Sequence, residues 1–155
     1  MMTIESKMKE LGIVLPNVPD VAGLYSYYRP FGDKLVYISG CGPAINGVNT
    51  FVGKVGREIN LEQGQEAARN CILNALAIIK ANLGDLSQIK SFVKLLGFVA
   101  CSDDFYDQPK VMNGASKLLS DIFGEQIGLS ARSAIGTNVL PGNISVEIEL
   151  IIELI

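Results

Sequence analysis

The C-terminal end of the chain carries the clearest pattern of hydrophobic and polar positions. From Ser145 to Ile155, apolar side chains occupy every second position and acidic side chains occupy half of the others. The first set is Val146, Ile148, Leu150, Ile152 and Leu154, and the acidic set is Glu147, Glu149 and Glu153. Strict alternation over about ten residues is typical of a strand with one buried face. The pattern therefore predicts a closing strand that carries carboxylates on its other face.

Two longer segments show the spacing of amphipathic helices. The first begins at Asn60 and carries apolar side chains at steps of three and four, which places them on one helical face. Asn60 and Gln63 form a capping-box pattern at its start, and Gly84 suits the position after its last turn. Pro109 is tolerated in the first turn of a helix, so a second helix is predicted from there to Gly124.

Short runs of apolar, aromatic and β-branched residues predict further strands. They lie at residues 24–28, 35–39, 51–55, 89–101 and 130–136. The chain then reads as two or three strands, a helix, a strand, a helix and two strands, which predicts an α+β layer of helices on one sheet face. The run 89–101 is apolar on both sides, as in a central strand. A second apolar sheet face would need a partner, and oligomerisation is the simplest way to cover it.

Composition narrows the possible functions. The chain has 155 residues, which favours one domain, and 48% of them are hydrophobic. The net charge of −3 and the absence of a basic run argue against binding to nucleic-acid backbones. No apolar stretch reaches the ~20 residues of a membrane span. The first 15 residues carry charges of alternating sign and resemble neither a signal peptide nor a basic anchor, so we expect a cytoplasmic protein.

The absence of histidine limits the chemistry most strongly. It removes histidine bases, the Ser-His-Asp and Cys-His arrangements and most transition-metal sites. Three widely spaced cysteines without a Cys-x-x-Cys pair give no support to a zinc site or a redox motif. Cys71 falls in a helical apolar pattern, and Cys41 follows Gly40 in a predicted loop. We expect both to pack in the interior, and Cys41 is the one cysteine to examine for reactivity because it lies in a loop.

Arg132 is the strongest candidate for ligand binding. It lies among small residues, which leaves space around its guanidinium, and a planar guanidinium matches the two oxygens of a carboxylate. The alternative is a salt bridge to Glu147 or Glu149 on the neighbouring strand. Taken alone, the residues predict an oligomeric α+β domain with one site for an anionic ligand.

Several short motifs, in order along the chain, resemble one known family. They include Val-Tyr-Ile-Ser-Gly at residues 36–40, the helix at 66–76, Ala-Arg-Ser at 131–133, Leu-Pro at 140–141 and Val-Glu-Ile-Glu at 146–149. Together they resemble the RidA family of reactive intermediate deaminases, also called YjgF or endoribonuclease L-PSP-like. The resemblance implies a chorismate-mutase-like α+β fold with a mixed six-stranded sheet and two long helices on one face. It further implies residues 24–155 as a single domain and residues 1–23 as an N-terminal extension packed on it.

The resemblance also implies an assembly and an activity. Family members form homotrimers with ligand sites between subunits. Active members hydrolyse enamine and imine acids, such as 2-aminoacrylate, to 2-oxo acids and ammonia, without a metal or an organic cofactor. The carried-over catalytic residues are Arg132, which would hold the substrate carboxylate, and Glu147, which would orient the attacking water. The carried-over binding residues are Tyr25, with Tyr27 as the alternative, Ser39, Gly40 and Asn113.

Two departures from the family pattern keep other functions open. Ala134 stands where deaminases often have cysteine, and Cys41 stands where glutamine is common. The segment 103–113 also differs in length. A trimer that binds small carboxylates without turnover is therefore the main alternative. A ribonuclease is less favoured, because the chain is acidic and lacks histidine.

Overall fold

The computed structural model describes residues 3–155, which form a single α+β layer structure. The helices are α1 (Ile4–Glu10), α2 (Leu61–Leu83), α3 (Gln108–Phe123) and α4 (Glu125–Gly128). The strands are β1 (Tyr28–Phe31), β2 (Leu35–Cys41), β3 (Ile89–Ala100), β4 (Ala131–Thr137) and β5 (Val146–Leu154). Single 3₁₀ turns lie at Leu86–Gln88 and Pro141–Asn143. From β1 onward the predicted order of elements is confirmed, with the short helix α4 added, and helix α1 precedes it.

The sheet is mixed and has the strand order β1-β2-β5-β3-β4. β4 runs parallel to β3, and every other neighbouring pair is antiparallel. The sheet therefore has five strands within residues 3–155, and the prediction of six was one strand too many. The extra strand was expected at residues 51–55, where the structure has only isolated bridges of Val52 and Val55. Gly53 and Gly56 there adopt φ angles of +113° and +87°, which turn the backbone away from a continuous ladder.

The first strand begins later than the sequence pattern indicated. It was expected at residues 24–28 and followed by a turn, whereas β1 starts at Tyr28 and includes Pro30. β1 is the edge strand of the sheet, where a proline costs no ladder hydrogen bond if its nitrogen faces outward. The tight turn comes only at Gly32, which has a φ of +60°.

Helix α2 is the main support of the sheet and forms as its pattern predicts. Asn60 Oδ1 accepts from the Gln63 N–H at 2.8 Å, and Gln63 Oε1 accepts from the Asn60 N–H at 2.9 Å, which completes the capping box. Residues 71–79 are buried all around the helix, because the sheet lies on one side and α3 on the other. Gly84 ends the helix with a φ of +80°.

β5 lies at the centre of the sheet, and its alternation separates two different environments. Val146, Ile148, Leu150 and Ile152 are at most 1% exposed and form the core under α2 and α3. Glu147, Glu149 and Glu153 lie on the opposite face, which we call the outer face. No helix of the described chain covers the outer face. It also carries partly exposed apolar side chains, namely Tyr37, Leu96, Phe98 and Ile151.

The N-terminal segment is attached to the helical layer and to the loop after β2. Met8 and Ile13 are buried in the common core. Asn17 N–H donates to Asn46 Oδ1 at 2.8 Å, and Tyr27 Oη donates to the Asp20 carbonyl at 3.0 Å. Residues 1 and 2 of the expected extension 1–23 lie outside the described residues, and the division at residue 23 stays a prediction. Among residues 3–155, no helix combines the length and the apolar character needed to cross a lipid bilayer.

Candidate functional site

Arg132 lies on β4 and points toward helix α3. Its Nη1 donates to Asn113 Oδ1 at 2.9 Å and to Ser116 Oγ at 3.1 Å, and its Nη2 donates to the Pro109 carbonyl at 3.2 Å. All three acceptors are neutral, so the charge of the guanidinium is not neutralised by its own anchors. Two of its five N–H groups have no partner among the described residues. The guanidinium is thus oriented and still able to bind an anion.

The salt-bridge alternative for Arg132 is excluded within residues 3–155. No carboxylate lies within salt-bridge distance of its guanidinium. The reason is register: Arg132 pairs with Leu95 of β3, which faces the helices, whereas Glu147 and Glu149 face the other side of the sheet. Although β4 and β5 follow each other in the sequence, their closeness along the chain did not indicate that Arg132 and Glu147 lie on opposite faces of the sheet.

Helix α3 supplies the groups that orient Arg132. Asn113 and Ser116 are three positions apart and therefore lie on the same face of the helix. Asn113 was among the predicted site residues, whereas Ser116 and the Pro109 carbonyl were missed. The spacing of Asn113 and Ser116 was the signal available in the sequence. The contact between Arg132 and the Pro109 carbonyl could be found only in the structure.

A second group of predicted residues surrounds Glu147 on the outer face. Gly40 lies against the Glu147 carboxylate so closely that a Cβ on Gly40 would be 2.6 Å from Oε1. The β2–β5 ladder is irregular between Ile38 and Cys41, and this bulge brings Gly40 toward the carboxylate. Ser39 is held by two bonds, from its N–H to the Tyr27 carbonyl at 3.0 Å and from its Oγ to the Ser26 carbonyl at 2.7 Å. Ser39, Gly40 and Glu147 thus form one continuous surface.

The environment of Glu147 favours the protonated carboxyl. Partial burial raises its pKa above the ordinary value, and the nearby charge of Glu149 raises it further. No hydrogen bond or salt bridge joins the Glu147 side chain to any residue between 3 and 155. Glu149, in contrast, accepts a 2.6 Å hydrogen bond from Tyr37 Oη. A carboxylate with a raised pKa and free oxygens is suited to accept a proton from water.

The two candidate tyrosines, Tyr25 and Tyr27, differ in their exposure and in whether their hydroxyl groups are hydrogen-bonded. Tyr27 is partly buried, its hydroxyl is bonded to Asp20, and burial and the neighbouring Tyr25 raise its pKa. Tyr25 is 47% exposed and packs edge-on against the Tyr27 ring with centroids 5.5 Å apart. Tyr25 is therefore free to contact a ligand, and Tyr27 supports it. The choice of Tyr25 as the ligand contact stays a prediction.

The structure places the predicted residues in two groups that one chain does not bring together. Arg132 and Asn113 form the first group, and Gly40 and Glu147 form the second, with Ser39 next to Gly40. Tyr25 is connected to the second group only through Tyr27, whose carbonyl accepts the Ser39 N–H. β3 lies between β4 and β5, and the register places Arg132 beside Leu95 and Glu147 beside Phe98. Strand spacing and rise then put their Cα atoms about 14 Å apart, with side chains on opposite faces. A site that contains both groups would need a second copy of the chain.

Cys41 is a core residue. It is 2% exposed, and burial together with the Glu147 charge raises the pKa of its thiol to about 12. A thiol that stays protonated is a poor nucleophile. Cys71 is fully buried, and its pKa is raised for the same main reason. Among residues 3–155, no three Cys, Asp or Glu side chains cluster as a metal site would require.

The fold and the two residue groups define an α+β protein whose helices cover one face of the sheet and whose outer face remains open. Comparison with known proteins gives the family. A family model described as "YjgF/chorismate_mutase-like, putative endoribonuclease" matches residues 5–154. The chain therefore belongs to the YjgF family, which is also called RidA.

Relatives match over nearly the whole chain. Protein TCP17 of Trypanosoma cruzi is 37% identical over 151 residues, which cover 97% of this chain and 94% of that protein. The crystal structure of Atu1372 from Agrobacterium tumefaciens, a protein of unknown function, is 42% identical with a TM-score of 0.87, over 98% of this chain and 92% of that one. A "putative endoribonuclease" from Shewanella oneidensis is 34% identical with a TM-score of 0.93, over 98% and 99% of the two chains. The predicted family and fold class are thus confirmed.

Proposed function

We propose that the protein is a hydrolytic deaminase of imine and enamine acids and that it acts as a homotrimer with sites between subunits. The observation that carries the proposal is the guanidinium of Arg132, which three neutral groups hold in place with no carboxylate of the described chain beside it. An arginine kept in this state is suited to bind a small carboxylate in two-point fashion. Family membership makes small-molecule deamination the reaction class that this site supports best.

The proposed assembly follows from the separation of the two residue groups. Arg132 and Asn113 of one subunit would face Glu147, Gly40, Ser39 and Tyr25 of the next subunit across an interface. The outer face has both the apolar side chains and the lack of cover that a subunit interface requires. Trimer formation would therefore complete the site and cover the open sheet in one step.

The chemistry needs only one proton-transfer group. Arg132 would bind the carboxylate of the imine acid and so place C2 near the Glu147 carboxylate. A water molecule adds its oxygen to C2, Glu147 accepts one water proton and passes it to nitrogen, and the C=N double bond becomes a C–N single bond. The hydroxyl proton of this carbinolamine then moves to nitrogen, the C–N bond breaks, ammonia leaves, and the hydroxyl oxygen becomes the carbonyl of the 2-oxo acid. Holding water and the electrophilic carbon together supplies most of the rate increase.

The proposal is tested by imine hydrolysis with wild type and Arg132→Ala. An amino acid oxidase generates the imine, and semicarbazide traps whatever imine the protein has not yet hydrolysed. Wild type should lower the trapped fraction, and Arg132→Ala should abolish the effect while the trimer stays intact. Arg57→Ala is the matched control, because Arg57 is an exposed arginine bonded only to its neighbour Glu58. The deaminase proposal is wrong if wild type leaves the trapped fraction unchanged.

The same experiment separates two other functions. A carboxylate that binds to wild type and not to Arg132→Ala, without any turnover, would indicate a small-carboxylate-binding trimer. The name endoribonuclease is attached to the family model and to the Shewanella relative. RNA cleavage that survives Arg132→Ala and repeated purification would assign that activity to this chain.

A further inference from the structure

The hydrogen bonds of Arg132 use particular N–H groups of its guanidinium. The group carries five N–H donors, one on Nε and two on each of Nη1 and Nη2. Nη1 donates to both Asn113 Oδ1 and Ser116 Oγ, so both of its hydrogens have acceptors. Nη2 donates once, to the Pro109 carbonyl. The Nε hydrogen and one Nη2 hydrogen have no acceptor among residues 3–155 and remain for a ligand.

A guanidinium can hold a carboxylate with either of two pairs of nitrogens. The end pair is Nη1 with Nη2, and the side pair is Nε with Nη2; each pair matches the two oxygens of a planar carboxylate. In Arg132 the end pair has no free hydrogen on Nη1, whereas the side pair keeps a free hydrogen on each nitrogen. In this arrangement only the side pair can bind a carboxylate through two hydrogen bonds.

Ser116 is the residue that closes the end pair. Asn113 alone would occupy one Nη1 hydrogen and leave the other free for a ligand. Ser116 Oγ accepts that second hydrogen at 3.1 Å. Ser116 is half-buried and lies on α3 three positions after Asn113, so both acceptors reach Nη1 from the same helix face.

The position of Arg132 leaves space for a ligand beside the guanidinium. Arg132 is partly exposed, and β4 is an edge strand of the sheet. No strand of residues 3–155 pairs with the outer edge of β4. A small carboxylate can therefore approach Arg132 from that edge without displacing a strand of its own subunit.

We infer that Ser116 is a positioning residue that makes Arg132 bind the substrate carboxylate through Nε and Nη2. This role rests on the deaminase function proposed above and adds how the substrate is oriented. Binding through the end pair would turn the substrate by about 120° in the plane of the guanidinium, because the three C–N bonds of that planar group are evenly spaced. By closing the end pair, Ser116 gives C2 of the substrate one position relative to Glu147.

NMR of protein labelled with ¹⁵N-arginine shows directly which nitrogens bind the carboxylate. The chain has four arginines, and Arg132→Lys identifies the Nε–H signal of Arg132 by its loss. The probe is pyruvate, the 2-oxo acid that the proposed reaction yields from 2-aminoacrylate. In wild type, pyruvate should shift the Arg132 Nε–H signal downfield, because this hydrogen enters a charge-assisted bond. Pyruvamide, which has no carboxylate, is the control ligand and should cause no such shift.

Ser116→Ala tests the positioning role. It frees the second Nη1 hydrogen and admits the end pair, so saturating pyruvate should shift the Arg132 Nε–H signal less than in wild type. With the imine that an amino acid oxidase generates from alanine, kcat should fall about tenfold, because a turned carboxylate misplaces C2. KM should stay nearly unchanged, because either pair binds the carboxylate.

Two further variants separate positioning from a general effect on the helix. Ser116→Thr keeps the hydroxyl and should retain both the wild-type kcat and the wild-type shift. Ser120→Ala is the matched control and should behave as wild type. Ser120 is a half-buried serine one turn further along α3, and it forms no hydrogen bond with Arg132.

Failure of the deaminase function and failure of the positioning role give different results. If wild type neither binds pyruvate nor hydrolyses the imine, the deaminase function is wrong and the role of Ser116 falls with it. If bound pyruvate leaves the Arg132 Nε–H signal of wild type in place, the role of Ser116 is overturned even where the imine is hydrolysed. A wild-type kcat in Ser116→Ala, or an equal fall of kcat in Ser120→Ala, would overturn it as well.

Discussion

Gly40 is the residue on which the Glu147 environment depends most directly. The carboxylate of Glu147 occupies the place that a side chain at residue 40 would take, with Oε1 2.6 Å and Cδ 2.9 Å from a Cβ there. Residue 40 must be glycine because of this contact and not because of its backbone conformation, since the φ of Gly40 lies outside the left-handed range. Any larger residue would move Glu147 away from the surface that it shares with Ser39.

Gly40→Ala should therefore lower kcat for imine hydrolysis by about a hundredfold, since a displacement of ~1 Å in a reacting group has that effect. Gly42→Ala is the matched control, because its Cβ would meet only the flexible Ile144 side chain, at 3.1 Å. Steady-state kinetics measure the effect, and sedimentation checks that both variants keep the oligomeric state of wild type. Equal activity of the two variants would show that Glu147 does not act from this position.

The raised pKa of Glu147 gives a prediction about pH. Activity that needs the carboxylate should fall as the pH decreases through a value above the ordinary 4.5. Glu149→Gln removes the neighbouring charge that raises this pKa, so the acid limb of kcat/KM should move to lower pH. The pH profiles of wild type and Glu149→Gln measure the shift, and an acid limb unaffected by Glu149→Gln would contradict it.

The same pKa also has a consequence for stability. A carboxyl whose pKa is higher in the folded than in the unfolded state stabilises the fold at low pH, and this contribution is lost as the pH rises through the folded value. Glu147→Gln should therefore melt at a higher temperature than wild type at neutral pH, with the difference vanishing in acid. Glu66→Gln, an exposed glutamate on α2, is the control and should show no such pH-dependent gain. A Glu147→Gln protein that melts lower than wild type at neutral pH would contradict the prediction.

At the scale of elements, the crossing of α2 and α3 depends on Gly114. A Cβ at this position would run into the backbone carbonyl of Gln65 on α2, and a backbone group cannot rotate away. Intrinsic helix propensity favours alanine over glycine by about 1 kcal/mol. For Gly114→Ala, packing therefore predicts a lower free energy of unfolding, whereas helix propensity predicts a higher one.

We expect packing to dominate, so Gly114→Ala should lower the free energy of unfolding by about 1–3 kcal/mol. Denaturant titration measures the change. Lys117→Ala on the same helix is the control, because Lys117 is exposed and forms only a surface salt bridge with Asp121, so its effect should stay within about 0.5 kcal/mol. A stabilised Gly114→Ala would show that the helices can separate at little cost.

At the scale of the whole molecule, the open outer face and the divided site lead to the same assembly. One chain supplies Arg132 on one side of the sheet and Glu147 on the other, with β3 between them. The proposed reaction needs both groups, and one chain does not bring them together. An assembly in which neighbouring subunits exchange these groups would explain both the division of the site and the uncovered sheet.

Mixing two inactive variants tests this arrangement. Arg132→Ala and Glu147→Gln should each be inactive alone, and refolding them together in equal amounts should restore about a quarter of wild-type activity, since random pairing gives both native groups in that share of the sites. Imine hydrolysis measures the recovery. A mixture of Arg132→Ala and Arg132→Lys is the control, and it should recover no more than its components. Mixed trimers without recovered activity would contradict a site between subunits.

The sequence by itself determined the elements and their order. Capping at Asn60, the alternation from Val146 to Ile152 and the proline at the start of α3 are local signals, and local signals depend only on residues close together in the chain. The motifs around Arg132 and Glu147 also sufficed to indicate the family. The wrong strand prediction at residues 51–55 also has a local cause, because Gly53 and the following Gly56 turn the backbone away from a continuous ladder.

Only the tertiary structure decided which side of the sheet each candidate faces. Arg132 and Glu147 lie on strands that follow each other in sequence, yet β3 is inserted between them and the register turns them to opposite faces. Strand order and register arise from long-range packing of the sheet against α2 and α3, which no short motif encodes. For the same reason only the structure showed the contact of the Pro109 carbonyl with Arg132 and the extent to which Cys41 is buried.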